Sequence, residues 1–260
     1  MGTSSSQRSP ATPEWERVRE LYLQPNPNPA QMLARIVAAL DSDTRAGMSD
    51  PGVACCLGHL LDGATVAATG KLSGLYPSGA DLAHAPVIGL ASGLRQAAEQ
   101  DIVVGQLASR FSDLALDALG TSVLDIAESI PGGGGILRLD YTHLTDHMAS
   151  YYHQNRLHDL TQTFLAHDLD HVFRHFVARD ISDFVGTEAL PTVTASSVLQ
   201  DRIAHTCRII TAGVDLSGTE APFREAIAQH SLEHRTHALQ DVFRYTLDSG
   251  LAALADAEVA

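Results

Sequence analysis

The stretch Phe164–Val177 reads FLAHDLDHVFRHFV and carries the clearest helical pattern of the chain. Its apolar residues recur at the spacing of one helical face: Leu165, Leu169, Val172, Phe173 and Phe176. Its polar residues fall on the complementary face: His167, Asp170, His171, Arg174 and His175. The pattern predicts an amphipathic helix, and a polar stripe of this kind is typical of a solvated face.

The chain on both sides of this stretch shows helical spacing and almost no strand-like alternation. Thr12-Pro13 and Asp50-Pro51 each combine an N-capping residue with proline at the first helical position. Further helices are predicted over residues 30–40, 81–119, 121–130, 138–155, 157–180, 192–213 and, with a break, 219–255. The sequence therefore predicts an all-α protein, a multi-helix globular bundle made of one domain or two packed helical subdomains.

The sharpest change of composition is the run Gly132–Gly135 after Pro131. A glycine run is flexible and is typical of a hinge. It divides the chain into four predicted regions: a disordered leader (1–13), an Ala-rich helical region (14–131), a glycine-rich hinge (132–137) and a His-rich helical region (138–260).

Composition limits the partners of this 260-residue chain. The net charge of −14 argues against a nucleic-acid partner, because phosphate backbones are bound by basic surfaces. The most apolar run, residues 52–70, contains His59 and Asp62 and falls short of a membrane span, so no membrane partner is expected. The three cysteines form no disulfide framework, which favours a cytoplasmic location, and the adjacent Cys55 and Cys56 are interpreted as core residues.

Histidines are concentrated near the decisive stretch. Seven of the thirteen lie between positions 143 and 175: His143, His147, His153, His158, His167, His171 and His175. Two pairs, His143–His147 and His167–His171, are spaced i, i+4, so each pair projects from one side of a helix and could share one ion. The polar face around His230–Asp241 is interpreted as solvated.

The segment Phe164–His171 (FLAHDLDH) resembles the signature of the HD-domain metal-dependent phosphohydrolase superfamily. The resemblance implies that His167 and Asp168 form the His-Asp pair and that His143 supplies the first ligand. It also implies a last ligand at Asp201, in the sequence Asp201-Arg202, with Asp215 as the alternative. One divalent ion (Mn, Fe, Zn, Ni or Mg) would be held by these residues.

The activity that this resemblance implies is hydrolysis of a small phosphorylated substrate, a phosphoester or a nucleotide. The metal would activate a water molecule, and His171 or Arg174 would stabilise the developing phosphate charge. Two alternatives stay open: a helical-bundle metal oxidase or oxygenase, and a non-enzymatic all-α interaction or self-assembly protein. In the last case the Ala/Gly/Leu-rich helices of residues 51–130 would pack against a second copy, giving a homo-oligomer.

Overall fold

The computed structural model describes residues 12–257 except 71, 81, 83, 132–134 and 230. Within these ranges the protein is helical and contains no strand, which confirms the predicted all-α class. The helices are α1 (Pro13–Tyr22), α2 (Pro29–Ala39), α3 (Ser42–Gly47), α4 (Pro51–Ala68), α5 (Pro86–Val104), α6 (Arg110–Glu128), α7 (Tyr141–His153), α8 (Leu157–Ile181), α9 (Val193–Ala212), α10 (Glu220–Ile227) and α11 (Leu232–Asp256).

Proline opens three of these helices directly after a polar capping side chain. The caps are Thr12, Asn28 and Asp50. Asp50 Oδ1, for example, accepts a hydrogen bond from the backbone N–H of Val53 at 2.9 Å. Proline suits the first turn because it lacks an N–H that would have no partner there. The starts predicted at Pro13 and Pro51 are confirmed.

Helix α6, the last helix of the Ala-rich region, differs from the prediction. We expected one helix to end at Leu119 and another to begin at Thr121, but α6 runs unbroken through Gly120. An isolated glycine weakens a helix by about 1 kcal/mol relative to alanine and does not by itself end it. A side-chain capping box at Ser109 fixes the start of α6.

The chain divides into two compact units. Of the described residues, unit 1 comprises those within 12–45, 169–214 and 248–257, and unit 2 comprises those within 46–168 and 215–247. Helices α8 and α11 therefore contribute residues to both units. The hinge predicted at 132–137 and the disordered leader at 1–13 stay predictions, since residues 132–134 and 1–11 lie outside the described residues.

Unit 1 is organised by α1, α2, α9 and the second half of α8. Helix α2 packs against both α1 and α9. The indole N–H of Trp15 donates a hydrogen bond to Asp180 Oδ2 at 2.5 Å, and the indole ring meets Phe176 edge-on at 5.7 Å. A charge-assisted hydrogen bond and an aromatic contact thus join α1 to α8.

Unit 2 is built around α4, which packs against α5, α6 and α7. Most of α4 is buried, including Leu57, Leu60 and Leu61. Among the described residues, Ser42–Ala68 is the one segment that is long and apolar enough to cross a membrane by length and composition, and 67% of its most apolar window is buried in the protein. A buried core helix passes the same test. Because α4 is the central helix of unit 2, the few polar side chains that it carries, Cys55 and His59 among them, lie inside this unit.

Candidate metal centre

Helix α4 carries two metal-ligand side chains on one of its faces. Cys55 and His59 are four residues apart and therefore project from the same side of the helix. Asp101, on α5, joins them, and the three potential ligand atoms all lie within 4.8 Å of one another. In the part of the chain that the structure describes, this is the one group of three or more His, Cys, Asp or Glu residues with such spacing. We call it the Cys55 cluster.

The geometry of the Cys55 cluster suits a small divalent ion. His59 Nε2 lies 3.0 Å from Asp101 Oδ2. Zinc bonds of about 2.0–2.3 Å in a tetrahedron place ligand atoms roughly 3.3–3.8 Å apart, so small side-chain movements are enough to surround an ion. Thiolate, imidazole and carboxylate are also the ligand types that zinc takes in proteins.

A very small cavity lies at the Cys55 cluster. Its volume is about 10 Å³. Its walls come from α4, α5 and α11: Cys55, Gly58, His59, Asp101, Leu232, Arg235, Thr236 and Leu239. That volume is about the size needed for one water molecule, so the cavity has room for an ion or a water and not for an organic substrate.

Burial sets the protonation of the two α4 ligands. Desolvation lowers the pKa of His59, which favours the neutral imidazole that a metal needs. Desolvation, with a contribution from Asp101, raises the pKa of Cys55 to about 12. The metal-free side chain is therefore a thiol, which argues against Cys55 as a catalytic nucleophile. A divalent ion would displace the thiol proton, as metal binding to cysteine generally does.

The charges around the Cys55 cluster balance when a divalent ion is present. Arg235 Nη2 lies 2.5 Å from Asp62 Oδ2 and donates to the carbonyl of Gly58 at 2.9 Å, so Arg235 and Asp62 neutralise each other. The thiolate of Cys55 and the carboxylate of Asp101 then carry two negative charges. One divalent cation compensates them, which matters most at Cys55, the buried member of the cluster.

The close approach of α11 to this cluster depends on a glycine. A Cβ atom at Gly58 would lie 2.8 Å from Leu239 Cδ1 and 3.2 Å from Arg235 Nη2. A larger residue at this position would require the ends of these two side chains to shift. The glycine thus lets Arg235 reach Asp62 beside the cluster.

The ligands implied by the HD-domain resemblance are placed differently. His167 Nε2 lies 2.9 Å from Asp125 Oδ2, and His143 is exposed with Nδ1 2.6 Å from Asp140 Oδ2. Asp168 is 1% exposed, and its two carboxyl oxygens have no hydrogen-bond partner among the described residues. Because α8 is unbroken here, adjacent side chains diverge by about 100°, and His143, His167 and Asp168 do not form a ligand group in unit 2.

The other site residues predicted from the sequence lie outside the Cys55 cluster. In unit 1, Arg174 Nη2 lies 3.5 Å from Asp201 Oδ1, and Asp201 is 71% exposed. His171 is half-buried. In unit 2, Asp215 is exposed and accepts the backbone N–H of Ser217 at 3.0 Å, which holds the pKa of its carboxyl below the usual value. The structure thus brings Arg174 and Asp201 together as an exposed ion pair and leaves Asp215 in a turn.

The polar face of α8 is less exposed than its sequence pattern suggests. His167, Asp168 and Asp170 are all buried. Asp170 Oδ1 accepts a hydrogen bond from Arg174 Nε at 2.9 Å, within unit 1. Paired polar side chains can be buried at modest cost, so a polar stripe need not be a solvated one. Two residues of the predicted polar stripe, His167 and Asp170, are thus buried, and a solvated face does not describe them.

No protein-family model, curated protein or solved structure matches the chain. Fold alone does not determine function, since one architecture carries many activities. The chemistry of the Cys55 cluster is therefore the basis on which a function can be assigned.

Proposed function

We propose that this protein binds one divalent metal ion, with zinc preferred, between Cys55, His59 and Asp101. The observation that carries the proposal is the convergence of three different ligand types from α4 and α5 on one cavity of ionic size. Three protein ligands leave a fourth position for water, which is the ligand count of catalytic zinc sites.

Metal-assisted hydrolysis stays the reaction class that the HD-domain resemblance implies, since the 10 Å³ cavity at the Cys55 cluster has no room for an organic substrate. When bound, a divalent ion acidifies a coordinated water into a nucleophile near neutral pH. A phosphoester or nucleotide substrate stays a prediction from the HD-domain resemblance. The cluster itself favours a metal more than a phosphate, because its nearest described cation, Arg235, is already paired with Asp62.

Elemental analysis of protein purified without chelator tests the proposal. We expect about one divalent ion per chain in the wild type. Cys55→Ala and Asp101→Asn should each weaken zinc affinity at least about tenfold, because changes around metal sites commonly cost 10–100-fold. Zinc affinity is measured by competition with a chromophoric chelator.

Cys56→Ala is the matched control. Cys56 is the neighbouring residue and is also a buried thiol, but it lies outside the Cys55 cluster. Its zinc content should equal that of the wild type. Metal-free wild-type protein, or equal loss of zinc in Cys55→Ala and Cys56→Ala, would overturn the proposal. Loss of metal in His167→Ala with retention in Cys55→Ala would transfer the site to the HD-like residues.

A further inference from the structure

A second, larger cavity lies in unit 2 next to the Cys55 cluster. Its volume is about 420 Å³, within the range of small-molecule sites. Its lining is Pro51, Gly105, Leu107, Leu232, Glu233, Thr236 and His237, and we call it the α11 cleft. Leu232 and Thr236 also line the 10 Å³ cavity of the cluster. The α11 cleft is thus a separate space that shares one wall with the proposed metal centre.

The polar groups of the α11 cleft all come from one helical face. Glu233, Thr236 and His237 stand at i, i+3 and i+4 near the start of α11, so their side chains are neighbours. Each offers a hydrogen-bond acceptor: a carboxylate, a hydroxyl oxygen and, in its neutral form, an imidazole nitrogen. Within the described residues, no Lys or Arg lines the cleft.

These acceptors are not used elsewhere in the described protein. Thr236 is 4% exposed, yet its hydroxyl makes no hydrogen bond with another described residue. Glu233 and His237 are both exposed, and neither has a side-chain ion pair or hydrogen bond within the described ranges. The Thr236 hydroxyl is therefore open to hydrogen bonding by water or by a ligand in the cleft.

The rest of the lining is apolar. Pro51 comes from the start of α4, Leu107 from the segment after α5, and Leu232 from α11. An apolar body of a ligand would be desolvated against these side chains. The cleft therefore combines an apolar wall with a cluster of acceptors at one side.

We propose that the α11 cleft binds a small organic cation, an apolar ring or chain that carries one ammonium group. The three donors of an ammonium group match Glu233, Thr236 and His237, and Glu233 supplies the opposite charge. The net charge of −14 attracts cations and disfavours anionic ligands. None of the lining residues is a proposed metal ligand, so this site stands apart from the metal proposal.

Titration with 2-phenylethylamine, followed by NMR amide shifts, tests the site. Its neutral and anionic analogues, 2-phenylethanol and 3-phenylpropionate, are titrated in parallel. We expect shifts confined to the cleft residues and binding of the amine at least about tenfold tighter than of the alcohol. Glu233→Gln should weaken amine binding about five- to tenfold and leave alcohol binding unchanged.

Two matched controls separate the cleft from general surface effects. Glu225→Gln removes the same charge from an exposed residue of α10 outside the cleft and should leave amine binding unchanged. His237→Trp should fill the cleft and abolish binding, whereas His234→Trp, exposed on the same helix but outside the lining, should not.

Three results would overturn the proposal: no amide shifts with the amine, equal affinity for all three probes, or an unchanged amine affinity in Glu233→Gln. Cys55→Ala protein distinguishes this proposal from the metal proposal. Loss of zinc with retained amine binding supports both proposals. A wild-type protein that lacks metal and still binds the amine leaves the cleft proposal standing alone.

Discussion

Replacing Gly93 with alanine is expected to lower the free energy of unfolding by about 3 kcal/mol or more, the upper end of what overpacking costs. Gly93 lies within α5, where the chain between α4 and α5 crosses the helix. A Cβ atom on Gly93 would lie 1.6 Å from the carbonyl oxygen of Leu75 and 2.8 Å from its carbonyl carbon. Because the obstacle is backbone, no side-chain rotation relieves it, and the short turn Leu72–Leu75 must move away from α5.

Gly120→Ala is the matched control for this change. Gly120 is also inside a helix, α6, but a Cβ atom there would meet no atom within 4 Å. Alanine should raise the free energy of unfolding by about 0.5–1 kcal/mol at this position, because it restricts the unfolded chain. Denaturant unfolding of both variants measures the difference. A loss below about 1 kcal/mol in Gly93→Ala would contradict the close approach of Leu75.

The contrast between these two glycines shows how far the sequence predicts the fold. Local signals place helix starts correctly, as at Pro13 and Pro51, because capping and proline geometry act within a few residues. The local sequence does not distinguish Gly93 from Gly120, because each is an isolated glycine within a helix. The sequence led us to end a helix near Gly120, which is wrong, and gave no sign that Gly93 is needed against Leu75. That requirement arises from tertiary packing.

The candidate metal centre shows the same limit of prediction from the sequence. The pair Cys55 and His59 has the i, i+4 spacing that we applied to His143–His147 and His167–His171, so two of the three members of the cluster share a spacing that the sequence displays. Its apolar surroundings led us to interpret the cysteines as core. Asp101 comes from another helix 42 residues further along the chain than His59, and only the packing of α4 on α5 brings it within 3.0 Å.

Buried polar residues are hard to anticipate from periodicity, because their burial depends on partners from other elements. His167 is satisfied by Asp125 on α6, a residue outside the decisive stretch. Asp168 was predicted as a metal ligand, and its carboxyl is the one on this stretch left without a hydrogen-bond partner among the described residues. Its environment leads to a stability prediction with a definite pH dependence.

Asp168→Asn is expected to raise the free energy of unfolding at neutral pH. Burial raises the pKa of the Asp168 carboxyl well above its usual value, and the Asp50 carboxylate adds to this effect. Above the unfolded pKa, folding therefore favours proton uptake by this carboxyl, whereas asparagine, of nearly the same shape, needs no proton. The contribution of Asp168 to the free energy of unfolding is fully present below about pH 4, the pKa of the carboxyl in the unfolded chain. It is lost as the pH rises toward the higher pKa of the carboxyl in the folded protein.

The difference between variant and wild type should therefore be small near pH 4. It should grow by about 1.4 kcal/mol per pH unit above that, until the pKa of the folded carboxyl is reached. Denaturant unfolding at pH 4, 5, 6 and 7 measures this slope. Asp170→Asn is the control, because Asp170 is also buried but is paired with Arg174, and its loss should lower stability at pH 7 by about 1–3 kcal/mol.

The opposite result would have a specific meaning. If Asp168→Asn lowers stability at pH 7 and the difference does not change with pH, the buried carboxyl is ionised and must have a positive partner in solution. A divalent ion is the partner that the HD-domain resemblance implies. Repeating the measurement with chelator then decides the matter, since a metal-held carboxylate would lose its advantage over asparagine and a protonated one would be unaffected.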